Sequence, residues 1–329
     1  MLGERFCEDG KSILSLSEIQ QEARREYLED LGKENSPYTI ESYLCECGAG
    51  EEDFEVLAGK DRYGLPVRTV ICKKCGLIMT NPRMTQESYN YFYANTFAKL
   101  YRGDVGTEDI GARFETQRER GKLISGFVKK NSDRTIQTVL EIGCAAGGIL
   151  SVFLEQGCDV AGVDLDDAYL EYGRRKGLNL KLGHSADLLQ EGKKYDLIIL
   201  SHVFEHFLDI EKELSVIQEL LAPDGLLYIE VPGLKLLEHG EYEGDFLACL
   251  QNAHVRIFSL GTLSNVMKKY GFDFCVGSEM IQSLFCYSGN RVPLMKNCYD
   301  DNMELLMRVE VKYLRKVLAW YKEIQNNDN

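Results

Sequence analysis

From Gln137 onward, short apolar runs alternate with segments whose apolar residues recur at helical spacing. The runs predict strands near residues 137–142, 159–164, 179–182, 196–200 and 226–231, and two later runs predict final strands near 271–276 and 283–287. Alternation of strands and helices is typical of a parallel, doubly wound sheet that binds ligands at the carboxyl ends of its strands. We therefore predict an α/β fold for this part of the chain.

The first of these strands carries Glu141 and runs into a turn of small residues, Gly143-Cys144-Ala145-Ala146-Gly147-Gly148. Glycines in such a turn let a ligand approach the backbone without meeting a Cβ atom. The second strand ends in Asp164, where a carboxylate can accept hydrogen bonds from the hydroxyls of an adenosine ribose. The pattern predicts a cofactor that contains adenosine.

Glu141 separates two cofactors that fit this pattern. A dinucleotide places its pyrophosphate at the helix N-terminus, and a carboxylate two residues before the first glycine does not help to hold an anion. S-adenosylmethionine (SAM) has no phosphate and carries a sulfonium and an ammonium group, which suit nearby acids. SAM is therefore favoured, and a nicotinamide-dependent oxidoreductase is the weaker alternative.

Further motifs follow in a characteristic order. The segment from Tyr195 to His206 ends in Ser201-His202-Val203-Phe204-Glu205-His206, and the segment from Leu220 to Pro232 contains Ala222-Pro223-Asp224-Gly225. Together with Glu141 and Asp164, these motifs closely resemble the class I SAM-dependent methyltransferases over roughly residues 130–290. The resemblance implies a Rossmann-like, mostly parallel sheet with an antiparallel final strand. It also implies these cofactor-binding residues: Glu141, Gly143, Cys144, Ala145, Gly147, Asp164, Leu165, Asp187, Ser201 and His202. Ala145 departs from the family, which usually has glycine there.

Two close cysteine pairs precede this region. Cys45 and Cys47 form the first pair, Cys72 and Cys75 the second, and a glycine follows each pair. This spacing predicts two turns that bring four thiolates around a structural Zn²⁺, although the first pair is tighter than usual. Four thiolates leave no open position for catalysis, and the alternative is four unligated buried thiols. The eleven cysteines come without a secretion signal, so reduced thiols are expected rather than disulfides.

The stretch after the second cysteine pair is rich in aromatic residues. It resembles the zinc-binding N-terminal module that precedes the methyltransferase domain in a set of sugar-modifying enzymes. The resemblance implies that Tyr93 faces the site. The alternative is an aromatic-rich helix that packs on the main domain.

Three more side chains are candidates for catalysis. Glu205 and His206 follow the fourth predicted strand, and the family resemblance places residues there beside the transferred methyl group. His254 can act as a general base because histidine titrates near neutral pH. Its segment resembles the histidine-containing stretch of sugar C-methyltransferases, in which such a histidine is the base. Ala253 and Asn252 replace the glutamate and histidine found there, which leaves O- or N-methylation open.

The length of 329 residues suits one large domain and a smaller one. We expect a helical extension over 1–36, a zinc-binding module over 37–82, connecting helices over 83–130, the methyltransferase domain over 131–290, and a C-terminal helix over 291–329 that packs or forms a homodimer. A net charge of −14 argues against a nucleic-acid partner. No apolar run approaches membrane-spanning length and no signal peptide is evident, so a cytoplasmic location is expected.

These features predict methyl transfer from SAM to a hydroxyl, amine or carbon of a small-molecule sugar, either nucleotide-linked or a surface-glycan precursor. One alternative is an O-methyltransferase acting on a phenol or a lipid precursor, for which an apolar acceptor pocket around residues 236–258 is expected. Another is a non-catalytic scaffold that binds SAM or zinc.

Overall fold

The computed structural model describes residues 2–103, 109–279, 281–292 and 296–327. The chain divides into two compact units, each discontinuous in sequence. The unit that we name the cysteine unit comprises Met1–Thr107, Pro232–Leu263 and Leu294–Asn329. The Rossmann unit comprises Glu108–Val231 and Ser264–Pro293.

The described helices and strands have the following bounds. The α-helices are α1 (Glu18–Leu31), α2 (Gln86–Phe92), α3 (Ile110–Asn131), α4 (Gly148–Glu155), α5 (Asp167–Arg175), α6 (Ile210–Leu220), α7 (Phe246–Cys249), α8 (Leu260–Lys269) and α9 (Tyr299–Asn327). The strands are β1 (Ile40–Glu41), β2 (Phe54–Ala58), β3 (Thr69–Cys72), β4 (Ile78–Thr80), β5 (Arg83–Met84), β6 (Thr138–Ile142), β7 (Asp159–Asp164), β8 (Leu180–Leu182), β9 (Tyr195–Ser201), β10 (Leu221–Glu230), β11 (Arg256–Ile257), β12 (Phe272–Gly277) and β13 (Gln282–Tyr287).

The Rossmann unit contains a seven-stranded sheet in the order β12-β13-β10-β9-β6-β7-β8. Strands β10, β9, β6, β7 and β8 pair in parallel, whereas β13 pairs antiparallel with both β10 and β12. This confirms the predicted mostly parallel, doubly wound sheet with its antiparallel strand. The strand order reverses between β6 and β9, and the crevice outside the carboxyl ends of such neighbours is where ligands bind.

Helices α3 and α4 of the Rossmann unit approach each other closely because glycine occurs at their contact. A Cβ atom built on Gly148 would overlap the carbonyl oxygen of Phe114, and one on Gly121 would lie 2.9 Å from Ile149 Cα. The same side of the sheet buries Ile149, Leu150 and further apolar residues in one core. This packing holds the first turn of α4 at the end of β6.

The cysteine unit contains a four-stranded antiparallel sheet in the order β11-β4-β3-β2. Its edge strand β11 comes from a distant part of the sequence, since Arg256 pairs with Met79 and Ile257 with Ile78. The sequence-based boundaries were contiguous and assigned residues 232–263 to the methyltransferase domain. The structure instead groups these residues with the cysteine unit, because their strand completes its sheet.

Two helices begin at side-chain caps. At α1, Ser17 and Gln20 form a capping box: Gln20 N donates to Ser17 Oγ (3.3 Å) and Ser17 N donates to Gln20 Oε1 (3.0 Å). At α6, Asp209 caps the helix, since its Oδ1 accepts from Lys212 N at 3.0 Å. Among the described helices, none combines the length and apolar character needed to cross a membrane.

Candidate cofactor and catalytic site

The turn after β6 is tied to the end of β7 by hydrogen bonds. Gly143 N and Cys144 N both donate to Val163 O, at 2.8 and 3.1 Å. Asp164 Oδ2 accepts from Ala145 N and its Oδ1 accepts from Leu165 N, each at 2.7 Å. The Rossmann unit thus brings together Glu141, Asp164 and the small-residue turn between them, as the sequence predicts.

Three residues of this turn adopt left-handed backbone conformations: Gly143 with φ +72°, Ala145 with φ +44° and Gly147 with φ +76°. A Cβ atom on Gly143 would also lie 2.5 Å from Val203 Cγ2, and one on Gly147 would lie 2.8 Å from Leu178 Cδ1. Packing within the protein therefore requires glycine at both positions. Glycine also leaves room for a ligand to approach the backbone. Ala145 is the position where the resembling family has glycine, and its positive φ gives the physical reason for that preference.

Glu141 lies near the end of β6, just before this turn. Its side chain is 1% exposed, and Oε2 has no hydrogen-bond partner among the described residues. Burial raises the pKa of the Glu141 carboxyl well above its usual value, and the nearby Asp164 raises it further, whereas Arg120 lowers it. A buried oxygen without a partner is costly unless a ligand completes it. A cationic group such as the ammonium of SAM fits this position.

The end of β9 carries a second polar cluster. Ser201 Oγ lies 3.3 Å from Glu230 Oε2, and Arg120 Nη1 lies 3.5 Å from Ser201 Oγ. Tyr228 donates its hydroxyl to the same oxygen of Glu230 at 3.3 Å. Arg120 and Glu230 were missed by the sequence reasoning. Glu230 could have been found, because it ends a predicted strand as Asp164 does.

Glu205 lies between two histidines directly after β9. Its side chain is buried, and Oε1 is 3.7 Å from His202 Nδ1 and 3.9 Å from His206 Nε2. The turn is held by a left-handed backbone at His202 (φ +57°), whose amide donates to Glu230 O at 2.8 Å. Ser201, His202, Glu205 and His206 are therefore one cluster at the carboxyl end of the sheet. Both imidazoles therefore lie beside the Glu205 carboxylate.

Two other predicted cofactor residues lie at the ends of β7 and β8. Leu165 follows Asp164 and exposes 65% of its surface. Asp187 lies in a 3₁₀ turn after β8, where its Oδ2 accepts from His184 N at 2.8 Å. The Asp187 carboxylate thus shapes this turn, and its predicted contact with adenine stays a prediction.

In the cysteine unit, the two cysteine pairs meet. Cys45 Sγ lies 3.5 Å from Cys75 Sγ, Cys47 Sγ lies 3.6 Å from Cys72 Sγ, and all four sulfurs lie within 4.8 Å of one another. Hydrogen bonding from the other sulfurs, that of Cys45 first, lowers the pKa of the Cys47 thiol. Four sulfurs at these separations fit the tetrahedral Cys₄ geometry of structural zinc. The tight first pair does not prevent the cluster from closing.

His254 and Tyr93 also belong to the cysteine unit. Tyr93 begins the π-helical continuation of α2, Tyr93–Arg102, and is 41% exposed. This aromatic segment contacts the His254 loop, since Tyr89 donates its hydroxyl to Asn252 O (2.9 Å) and Tyr101 accepts from Ala253 N (3.1 Å). The structure therefore joins the two segments that the sequence associated with the acceptor.

The orientation of Gln251 determines what it presents to His254. Arg62 Nη2 lies 3.1 Å from Gln251 Oε1, and a guanidinium can only donate. The Gln251 amide therefore directs its NH₂ group to the imidazole, at 2.7 Å from His254 Nε2 and 3.0 Å from Nδ1. The imidazole nitrogen that receives this donor must carry a lone pair.

The recess beside His254 has a mixed lining. Its polar side chains are Thr69, Thr80, Gln251 and His254, and its apolar side chains are Met79, Leu250 and Ile257. Thr80 Oγ1 also donates to His254 O at 3.3 Å. Inside the protein, Thr80 is thus engaged with the His254 segment, and Gln251 is engaged with both His254 and Arg62.

Comparison with known proteins agrees with the fold. The family model described as "Methyltransferase domain" matches residues 113–275. The chain is 26% identical over 216 residues to the C-methyltransferase NovU of Streptomyces niveus, which covers 63% of this chain and 46% of that protein. It is 27% identical over 114 residues to a ubiquinone biosynthesis O-methyltransferase of Pelagibacter ubique, which covers 32% of this chain and 48% of that protein. The chain thus spans about half the length of these curated relatives.

Among solved structures, a SAM-dependent methyltransferase from Archaeoglobus fulgidus is similar, with a TM-score of 0.38 and 20% identity over 55% of this chain and 74% of that chain. The strand order, the turn after β6 and the family match define residues 113–275 as a methyltransferase domain of the SAM-dependent class.

Proposed function

We propose that this protein transfers the methyl group of SAM to a sugar, either linked to a nucleotide or part of a surface-glycan precursor. The observation that carries the proposal is the resemblance of the His254 segment to sugar C-methyltransferases, together with the contacts that join this segment to the aromatic segment through Tyr89 and Tyr101. The acceptor atom is an oxygen, a nitrogen or a carbon.

The cofactor would be held by the Rossmann unit. Asp164 would accept hydrogen bonds from the ribose, Glu141 would face the ammonium group, and Leu165 would cover the adenine. Arg120, which reaches the end of β9 from α3, would bind the cofactor carboxylate. SAM supplies a methyl group already activated by its sulfonium, so the protein's task is to place the acceptor and take its proton.

We assign the proton acceptor to His254, whose lone-pair nitrogen accepts an N–H from Gln251 in the cofactor-free protein; Gln251 would leave this nitrogen before it takes the proton of the acceptor. Glu205 and His206 would border the transferred methyl group, and the exposed Tyr93 would contact the acceptor. The Cys₄ cluster would hold a structural Zn²⁺ that stabilises the cysteine unit. A cytoplasmic location stays a prediction.

A second candidate acceptor is a phenol, as in an O-methyltransferase. The similarity to a protein named for ubiquinone biosynthesis supports it, as do the apolar side chains Met79, Leu250 and Ile257 beside His254. A scaffold that binds SAM without turnover is the third possibility. It differs from both enzymes because substitution of His254 would then change no reaction rate.

The test begins with calorimetric titration of the protein with SAM, S-adenosylhomocysteine and NAD. We expect micromolar binding of the first two and none of NAD, with loss of binding in Asp164→Ala. Asp159→Ala is the matched control, because Asp159 begins the same strand and its carboxylate is exposed beside Lys193. Binding of NAD alone would refute the methyltransferase proposal.

The acceptor is then identified with SAM labelled in its methyl group. Nucleotide-sugars and phenols are offered separately, and product mass gives the atom that is methylated. We expect transfer to nucleotide-sugars and a loss of at least 100-fold in His254→Ala. Transfer to phenols alone would favour the second candidate, and SAM binding without transfer to any acceptor would favour the scaffold.

A further inference from the structure

We propose that the ion pair between Glu46 and Arg256 is a positioning contact through which the cysteine cluster holds His254. The inference deepens the proposed function and rests on it for the role of His254. The contacts themselves lie within the cysteine unit and can be tested without any activity.

Arg256 is a buried cation in a short strand. Its side chain is 1% exposed, and its Nη2 lies 2.7 Å from Glu46 Oε1, whose side chain is 10% exposed. The Arg256 guanidinium also makes a cation–π contact with Tyr43, since its central carbon lies 5.7 Å from the centroid of the ring. A charge buried this deeply is stable only when it is paired, so the position of Arg256 depends on the carboxylate.

Glu46 is fixed by its place in the sequence, between the cluster residues Cys45 and Cys47. The turn closes through Gly48 N, which donates to Cys45 O at 2.7 Å, and Cys45 N, which donates to Ala49 O at 2.9 Å. When the two flanking thiolates are held in the cluster, the backbone of Glu46 is constrained on both sides. The carboxylate is therefore presented from a rigid turn.

Arg256 in turn controls the backbone that carries His254. The two residues are separated only by Val255, whose carbonyl accepts from Thr80 N at 3.0 Å. Strand β11 contains only two residues and lies at the edge of its sheet. Strand pairing over two residues is weak by itself. The buried ion pair therefore adds to the hydrogen bonds that hold β11 in register, and with it the imidazole in place.

The second cysteine pair supports the same segment from the other side. Cys75 is followed within a few residues by β4, and β4 supplies both Met79 to β11 and the Thr80 hydroxyl to His254 O. Both turns of the cluster therefore lead to the His254 segment. A cluster that served only to stabilise the fold would not require a charged side chain between its ligands, since apolar packing would do as well.

The experiment compares Glu46→Gln with Glu51→Gln. The control also removes a carboxylate near the cysteine cluster, but Glu51 pairs with Arg68 at the surface and its side chain is 64% exposed. The readout is the ring signal of His254 in a heteronuclear NMR spectrum at fixed pH, assigned by its absence in His254→Asn. With five histidines in the chain, the spectrum is simple. Zinc content and the Kd for SAM are measured on the same samples.

In Glu46→Gln we expect the His254 signal to shift or broaden, with zinc content and the Kd for SAM within twofold of the wild type. Removal of zinc by a chelator from the wild type should move the same signal. The double variant Glu46→Gln/Arg256→Met, which leaves no unpaired buried charge, should restore folding if the single variant folds poorly, while the His254 signal stays displaced. Glu51→Gln should leave the signal unchanged.

A wild-type His254 signal in both Glu46→Gln and the double variant would overturn the positioning role. The proposed function fails in a different way, through absence of SAM binding or of transfer, and neither affects the NMR comparison. Where transfer is measurable, Glu46→Gln should lower kcat at least tenfold and leave the KM for SAM within twofold. If Glu46→Gln changed the Kd for SAM and the zinc content as much as it changed kcat, the variant would have lost structure instead.

Discussion

Replacement of Glu141 by glutamine should make the cofactor-free protein relatively more stable as pH rises and should weaken its binding of SAM. The carboxyl is fully buried and burial raises its pKa well above the usual value. At pH values below the pKa that the Glu141 carboxyl has in the unfolded chain, this protonated carboxyl therefore contributes its full stabilisation to the cofactor-free protein. This stabilisation is lost as pH rises through the folded-state pKa, because the native protein must then bury a charge. Glutamine has a similar shape and does not titrate.

The magnitude follows from linkage. Each pH unit between the unfolded and the folded pKa of this carboxyl changes the free energy of unfolding by about 1.4 kcal/mol. The stability of Glu141→Gln relative to the wild type should therefore increase as pH is raised from 5 to 8. SAM binding should weaken by about 10- to 100-fold, because a charge-assisted hydrogen bond contributes about 1.5–3 kcal/mol.

Urea denaturation of the cofactor-free protein at pH 5 and pH 8 measures the first effect, and calorimetry with SAM at constant pH measures the second. Glu155→Gln is the control, since Glu155 forms an exposed ion pair with Arg118 in the same unit. A stability difference between Glu141→Gln and the wild type that does not vary with pH would refute the assignment of the raised pKa. Unchanged affinity for SAM would remove Glu141 from the cofactor site.

Three further substitutions test the packing of the turn and the metal cluster. Gly148→Ala should lower the free energy of unfolding by about 1–3 kcal/mol, because the new methyl group overlaps the carbonyl of Phe114. Gly126→Ala is the control: it has open space around it and should be neutral or stabilising by up to about 1 kcal/mol. Urea denaturation of both variants measures these changes. Ala145→Gly should raise the free energy of unfolding by up to about 1 kcal/mol, because relief of the left-handed backbone strain exceeds the entropy cost of glycine. SAM affinity should persist. A loss of stability would contradict the inference that Ala145 is strained. Cys72→Ser should abolish binding of zinc and lower the Tm, as measured by metal analysis and calorimetry, and retention of one zinc per chain would show that the cluster is not the site.

The cofactor site was largely predictable because its residues are local in sequence. A strand, a small-residue turn and an acid at the end of the next strand can each be read from a short segment, and parallel strands bring their carboxyl ends to the same edge. Glu141, Asp164 and Ser201 therefore lie at or near the carboxyl ends of the neighbouring strands β6, β7 and β9. The two cysteine pairs were equally local, since each forms a turn of its own.

Contacts between distant segments could not be read in this way. Arg120 approaches Ser201 only because α3 packs against α4, and no periodicity in the sequence indicates which polar residue of a helix will reach the sheet. Arg256 and Glu46 are more than 200 residues apart, and the strand that carries Arg256 has only two residues, too few to show a pattern.

The sequence by itself determined the elements of the Rossmann unit, the small-residue turn with its neighbouring acids Glu141 and Asp164, and the two close cysteine pairs. Apolar periodicity and short turns depend on neighbouring residues, so the chain encodes them locally. Only the tertiary structure decided that residues 232–263 complete the cysteine unit and that the His254 segment joins its sheet. Long-range strand pairing and buried charge pairs form between segments whose proximity is set by the packing of the whole chain, which a local pattern does not contain.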